Sequence, residues 1–106
     1  MNQALPFTLD SISKVTRTYP TPFHMYDEER IRFVSDRLSR TMNEAGVPGF
    51  RNYFAVKALP NPEIITILAD TGMGVDCSSL AELAIAEMCG LSGEDAMFSS
   101  NNKLDE

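Results

Sequence analysis

The sequence predicts an α/β fold in which short parallel strands are joined by helices. Three short apolar segments, residues 52–57, 74–77 and 96–100, alternate with two segments that carry helix-start signals and apolar residues at helical spacing. The links between these segments are short, and strand–helix–strand units with short links form parallel sheets. The chain therefore predicts two consecutive β-α-β units.

Composition and charge exclude several other classes of protein. The chain has 106 residues, of which 43% are hydrophobic and 23% charged, a balance typical of a globular protein. Its net charge of −6 argues against a nucleic-acid partner. No apolar run approaches the roughly 20 residues of a membrane span, and residues 1–10 show no secretory leader. We therefore expect a cytoplasmic protein without a membrane segment. Cys77 and Cys89 lack metal-binding spacing, so we expect reduced thiols and no metal.

Two helices and a possible strand precede the alternating segments. Asp10 is expected to cap a short helix that runs to Thr18 and ends at the proline-rich residues 19–22. Residues 23–26 weakly favour a strand. Asp27 then begins the longest predicted helix, since it is followed by two glutamates, and this helix should run to about Ala45.

The remaining elements follow from caps and apolar runs. Residues 52–57 are nearly all apolar before the final lysine, as expected for a strand buried on both faces. Asn61 and Pro62 form a cap and first-turn pair that opens a helix ending near Gly72. Residues 74–77 form the second predicted strand. Ser79 and Glu82 have the spacing of a capping box, which opens a helix ending near Gly90, and residues 96–100 form the third strand.

Polar side chains follow the carboxyl ends of all three predicted strands. The first strand ends in Lys57, the second in Asp76 with Ser78 and Ser79 after it, and the third in residues 99–102. Ligands of parallel α/β sheets bind at this edge. The sequence therefore predicts one site there.

Lys57 is the strongest candidate for a reactive residue at this site, and the strand pattern leaves two interpretations of it open. Strand alternation would place it on the same face as Ala55 and Tyr53. A lysine amine that is partly removed from water can lose its charge and attack an aldehyde. A lysine that reaches solvent at the end of a strand is the alternative, and the pattern alone favours it.

The acids have two interpretations as well. Asp76 could hold the lysine ammonium, or it could form an ordinary turn at the end of the strand. Glu82 is better explained by its capping box than by catalysis when the pattern is taken alone.

Beyond these patterns, the chain resembles the family of pyridoxal-phosphate-dependent, barrel-fold decarboxylases that act on diaminopimelate, ornithine and arginine. The segment Y-F-A-V-K-A at 53–58 resembles the motif of its cofactor lysine. Residues 60–83 resemble the following helix, G-x-G-x-D and S-x-x-E, and residues 97–103 resemble the third strand. T-P-F-H-M-Y-D at 21–27 is similar to a strand of the family's second, β-rich domain.

The resemblance implies an architecture and a site. Residues 1–27 would contribute a helix and a strand of the β domain, and residues 28–106 the first helix and first three β-α units of a (β/α)8 barrel, so that the chain is an incomplete piece of a homodimeric enzyme. Lys57 would carry pyridoxal 5'-phosphate as a Schiff base. Asp76 would lie beside the lysine, and Ser79 and Glu82 beside the cofactor.

The resemblance also implies a reaction. We expect decarboxylation of a small amino acid, with meso-diaminopimelate converted to L-lysine as the first choice. Ornithine, arginine and carboxynorspermidine decarboxylases are alternatives, because Leu59 and Leu80-Ala81 depart from the diaminopimelate pattern. A non-catalytic, cofactor-binding homologue is an alternative from another class. The family's phosphate-binding residues lie downstream, so we expect the 106-residue chain alone to bind the cofactor poorly, to be inactive and to associate.

Overall fold

The computed structural model describes residues 4–99, which form four α-helices and three strands. Two single-turn 3-10 helices complete the regular structure, at Val56–Ala58 and Gly93–Asp95. The α-helices are α1 Leu9–Thr18, α2 Glu28–Glu44, α3 Pro62–Asp70 and α4 Leu80–Met88. The strands are β1 Tyr53–Ala55, β2 Gly74–Cys77 and β3 Ala96–Phe98.

The strands form one parallel sheet in the order β1-β2-β3, which confirms the predicted parallel α/β arrangement. Ala55 lies opposite Asp76, and Asp76 lies opposite Met97. The amide of Ser99 donates a 2.8 Å hydrogen bond to the carbonyl of Cys77, one residue beyond β3. Residue 100, the last residue of the predicted third strand, lies outside the described residues.

The hydrophobic core lies between one face of the sheet and helices α3 and α4. Its buried members are Val56, Ile65, Val75, Cys77, Ala86 and Leu91. Successive side chains of a strand point to opposite faces. Because Val75 and Cys77 point toward the helices, Asp76 is left on the face away from them.

Side-chain caps explain where α2 and α3 begin. Asp27 Oδ1 accepts a 3.1 Å hydrogen bond from the amide of Arg30, and Asn61 Oδ1 accepts a 2.9 Å bond from the amide of Glu63. Such caps satisfy amides that have no partner within the helix. A hydrogen bond of 2.6 Å between the hydroxyls of Ser35 and Thr71 then joins α2 to the end of α3.

The structure corrects two predictions near the amino terminus. Helix α1 is capped by Thr8, whose hydroxyl accepts from the amide of Ser11, whereas Asp10 lies within its first turn. Residues 23–26, predicted as a strand, have no regular structure. A strand requires a hydrogen-bonded neighbour, and among residues 4–99 none pairs with this segment.

The predicted first strand is also too long. Strand β1 ends at Ala55, and its three residues are only partly buried, so the expectation of burial on both faces is wrong. The chain turns at Val56, whose carbonyl accepts from the amide of Leu59 at 3.1 Å. Lys57 therefore lies in a 3-10 turn after the strand, and strand alternation does not decide its direction.

Within residues 4–99, no helix combines the length and the apolar character that crossing a membrane requires. The same part of the chain contains no cluster of three or more His, Cys, Asp or Glu side chains suited to a metal ion.

Candidate active site

The carboxyl edge of the sheet brings the predicted site residues to one region. Lys57 follows β1 in its 3-10 turn, and Asp76 is the third residue of β2. Ser79 is the cap of α4, and Glu82 lies in the first turn of that helix. The parallel register places these elements side by side, as the sequence predicts.

Lys57 is exposed and has a free ammonium group. It forms no ion pair with any residue in the described part of the chain. Ala55, two residues before it, lies opposite Asp76 in the sheet, but no direct ion pair joins the Lys57 and Asp76 side chains. Their approach through a hydrogen bond or one water stays a prediction.

Glu82 is held at one carboxylate oxygen by two serine hydroxyls. Its Oε2 accepts a 2.8 Å hydrogen bond from Ser79 Oγ and a 2.9 Å bond from Ser78 Oγ. Its amide donates in return to Ser79 Oγ at 3.2 Å, the bond expected of the helix cap. The bond from Ser79 lowers the pKa of Glu82 below its usual value, and the bond from Ser78 and the charge of Lys57 lower it further, against partial desolvation.

Two buried carboxylate oxygens have no hydrogen-bond partner among the described residues. They are Asp76 Oδ1 and Glu82 Oε1. Burial raises the pKa of the Cys77 thiol. The negative charges of Glu82 and Asp76 raise it further, so both carboxylates lie close enough to act on this thiol. Acceptors that are buried without a donor are unfavourable, so this pair suits a bound group that carries a positive charge or N–H donors.

The sequence places Ser78 at the carboxyl edge of the sheet, but it gives this residue no role beside Glu82. The motif S-x-x-E identifies Ser79 and Glu82, but Ser78 lies outside its spacing. The available signal was a second hydroxyl four residues before the glutamate, close to the helix start. Ser99 is exposed after β3, and the other polar residues predicted there, 100–102, lie outside the described residues.

A separate apolar groove of about 580 Å³ lies between α2 and the segment that contains β1 and α3. Its lining includes Ile31, Val34, Leu38, Phe54, Leu59 and Leu68. None of the four predicted site residues lines it. The titratable groups at the carboxyl edge are therefore the better guide to the chemistry.

The comparison with known families decides the identity of the domain. Residues 32–106 match the family described as "pyridoxal-dependent decarboxylase, pyridoxal binding domain". The chain belongs to this family. The resemblance and the cofactor predicted from the sequence, pyridoxal phosphate, are thereby confirmed.

Two curated relatives are similar to most of this chain. The chain is 46% identical over 91 residues to Protein TabA of Pseudomonas amygdali pv. tabaci, covering 86% of this chain and 21% of that protein. It is 38% identical over 90 residues to a diaminopimelate decarboxylase of Bacteroides thetaiotaomicron, covering 84% of this chain and 22% of that protein. The chain thus spans little more than a fifth of the length of these relatives.

A solved structure shares the fold. A chain of the structure described as "SrLDC in complex with PLP and Cadaverine" is similar with a TM-score of 0.68 and 24% sequence identity. The match covers 90% of this chain and 24% of that one. At this identity the likeness establishes the fold alone.

The residues at the carboxyl edge fit pyridoxal phosphate. The cofactor needs an accessible amine for its aldehyde, which Lys57 offers on the exposed turn after β1. It also benefits from acceptors that hold protons near that amine, and the buried oxygens of Asp76 and Glu82 lack donors in the described residues.

Proposed function

We propose that this chain contributes the cofactor lysine, Lys57, to an amino-acid decarboxylase. The observation that carries the proposal is the exposed Lys57 side chain at the same sheet edge as two buried carboxylate oxygens that lack donors among the described residues, in a pyridoxal-binding domain. A non-catalytic carrier would need the amine, but it would not need two carboxylates at the same edge of the sheet. The carboxylates therefore favour catalysis.

Each residue has a definite role in this proposal. Bound pyridoxal phosphate supplies an electron sink for the pair of electrons left behind when a carboxylate departs as CO₂. Lys57 holds the cofactor. Asp76 and Glu82 hold positive charge at the Lys57 nitrogen, since ionised carboxylates stabilise a neighbouring protonated amine. Ser79 fixes Glu82 through the 2.8 Å bond to its Oε2.

We propose meso-diaminopimelate as the substrate and L-lysine as the product. Support comes from relatives named diaminopimelate decarboxylase in four organisms, at 30–38% identity. The competing substrates are ornithine and lysine, because relatives named for those decarboxylases match at 27% identity. The name of Protein TabA states no substrate, so its greater likeness to this chain does not decide between these amino acids.

The architecture and the assembly are part of the same proposal. Residues 28–106 form the first helix and first three β-α units of a (β/α)8 barrel, and residues 1–27 adjoin a second, β-rich domain. The parallel order β1-β2-β3 and the fold likeness support the barrel assignment. We propose a homodimer for the intact protein, which its mass in solution would test.

Chemical trapping tests the cofactor lysine. The intact protein is loaded with pyridoxal phosphate, reduced with borohydride and digested, and the labelled peptide is sequenced. We expect a phosphopyridoxyl group on Lys57, and a label confined to another lysine would overturn the proposal.

A substrate panel tests the reaction. CO₂ release is measured with meso-diaminopimelate, ornithine, lysine, arginine and carboxynorspermidine at equal concentrations. We expect the highest kcat/KM for meso-diaminopimelate. Preference for another amino acid would reject that substrate and keep the enzyme class, whereas no release from any of them by a protein labelled at Lys57 would favour the non-catalytic carrier.

A further inference from the structure

Ser78 makes a hydrogen bond that helix capping does not explain. The cap of α4 is Ser79, whose hydroxyl accepts from the amide of Glu82 at 3.2 Å. Ser78 lies one residue earlier, and its hydroxyl donates to Glu82 Oε2 at 2.9 Å. The helix start is complete without this bond. Its effect is therefore on the carboxylate.

Two hydroxyl donors on one oxygen fix the orientation of the Glu82 carboxylate. Ser78 and Ser79 both donate to Oε2, whereas Oε1 has no donor within residues 4–99. Oε1 is buried, although the Glu82 side chain as a whole is only partly buried. A buried, charged oxygen without a donor is unfavourable. A cation that donated a hydrogen bond to Oε1 would remove this cost.

Lys57 is the cation available at this edge. The titratable groups near Glu82 are Lys57 in the turn after β1 and Asp76 and Cys77 in β2. Asp76 is an acid with a buried oxygen that also lacks a donor, and the Cys77 thiol is buried in the core. Among these groups of the described residues, only the ammonium of Lys57 can supply both a positive charge and N–H donors to the free oxygens.

We propose that Ser78 is a positioning residue, which holds Glu82 Oε2 so that Glu82 Oε1 is presented to the nitrogen of Lys57. The inference rests on the proposed function, in which Lys57 carries the cofactor, and it assigns Ser78 to that machinery. Ser78 donates its side-chain hydrogen bond to Glu82 Oε2. It acts through Glu82, which holds a proton on the Lys57 nitrogen as a hydrogen-bond acceptor.

NMR of the intact protein without cofactor tests the positioning role. The variants are Ser78→Ala, Ser78→Thr, which keeps the hydroxyl, and the control Ser92→Ala. Ser92 is exposed and makes no side-chain capping bond. The side-chain carboxyl carbon of Glu82 is titrated, and hydrogen exchange of the Lys57 ammonium is measured.

Ser78→Ala should raise the pKa of Glu82 toward its usual value, because one donor to the charged form is lost. Exchange of the Lys57 ammonium should accelerate by roughly tenfold, since the proposed hydrogen bond from this ammonium to Glu82 Oε1 is weakened when Ser78 no longer holds Oε2. Ser78→Thr should stay close to the wild type, and Ser92→Ala should change neither measurement. Equal results for Ser78→Ala and Ser92→Ala would overturn the proposal.

A second variant covers the case in which Ser78→Ala does not fold. Glu82→Gln keeps the shape of the side chain and removes its charge. It should accelerate exchange of the Lys57 ammonium, whereas unchanged exchange would overturn the link between Glu82 and Lys57. Because neither measurement uses cofactor, the positioning role can fail while borohydride still labels Lys57, and it can hold while the label lies elsewhere.

Discussion

The two edges of the sheet differ in how far their polar groups are satisfied. At the amino edge, Arg51 donates to the Gly72 carbonyl at 3.0 Å and pairs with Asp95 at 2.8 Å. The guanidinium also lies over the ring of Tyr53, 5.2 Å from its centre. The hydroxyl of Tyr53 donates to the carbonyl of Glu94 at 3.0 Å. These contacts join the segments that precede all three strands.

The carboxyl edge is the opposite case. Lys57 has no ion pair among the described residues, and Asp76 and Glu82 each keep a buried oxygen without a donor. Satisfied polar groups stabilise a fold, whereas buried polar groups without partners call for a functional explanation. In (β/α)8 barrels the carboxyl face carries the chemistry and the amino face stability. The difference between the edges indicates the same division here.

The largest expected effect is the loss of function when Lys57 is removed. Lys57→Ala should abolish the phosphopyridoxyl label and reduce decarboxylation to background, because the amine proposed to hold the cofactor is absent. Absorbance of bound cofactor and CO₂ release measure the two effects. The control is Lys14→Ala, which removes an exposed lysine paired with Asp10 at 3.0 Å and should keep both signals. Full activity in Lys57→Ala would refute the assignment.

The second effect concerns packing at the amino edge. A Cβ on Gly74 would lie 2.5 Å from two ring atoms of Tyr53 and 2.7 Å from the carbonyl oxygen of Asp95. Gly74→Ala should therefore lower the free energy of unfolding by about 1–3 kcal/mol, the usual range for overpacking. Urea unfolding measures the change.

A matched glycine separates this steric effect from backbone strain. Gly46 has a φ of +79° and no atom within 4 Å of an added Cβ. Gly46→Ala should lower the free energy of unfolding by about 1 kcal/mol through strain alone. Replacing Tyr53 by Leu should reduce the loss caused by Gly74→Ala, and an unchanged loss would show that the ring is not the obstacle.

Helix starts and strand order could be predicted from the sequence because both depend on local signals. Asp27, Asn61 and Ser79 each cap the helix that the sequence predicts for them. The parallel order followed from short links between strands and helices. Thr8 was missed as the cap of α1, because Asp10 is also a good cap and only the observed bond to Ser11 decides between them.

The end of the first strand could not be predicted in the same way. An apolar run of 52–57 fits a strand throughout, and nothing in its composition marks the turn at Val56. The sequence therefore identified Lys57 as a candidate, but it predicted a strand where the structure has a 3-10 turn. The unpaired oxygens of Asp76 and Glu82 depend on packing across elements, which no local pattern contains.

The third effect concerns two hydrogen bonds that the Arg51 guanidinium makes at the amino edge. Arg51→Lys keeps the charge but not the planar donor group that serves the carbonyl of Gly72 and the carboxylate of Asp95 together. We expect the free energy of unfolding to fall by about 1 kcal/mol. Arg37→Lys is the control, since Arg37 is exposed and forms no ion pair with a described residue. Equal losses in the two variants would show that the hydrogen bonds of Arg51 to Gly72 and Asp95 add no stability.

The smallest effect is a pH dependence that belongs to the carboxyl edge. The hydroxyls of Ser79 and Ser78 lower the pKa of Glu82 in the folded chain. Between the pKa values of the folded and unfolded states, the unfolded chain therefore binds more protons. The resulting stabilisation is present above the pKa of the unfolded state and is lost as the pH falls through the pKa of the folded state. Glu82→Gln should therefore be less stable than the wild type at neutral pH, and the difference should shrink in acid.

Urea unfolding at a series of pH values from neutral to acidic measures this difference. The effect should be small because the Glu82 side chain is partly exposed and its hydrogen bonds are screened by solvent. Glu87→Gln removes a carboxylate from an exposed position of the same helix and serves as the control. A difference that grew in acid would have the wrong sign for a carboxylate stabilised by its hydroxyl donors. The cluster of Ser78, Ser79 and Glu82 would then lack the electrostatic role assigned to it.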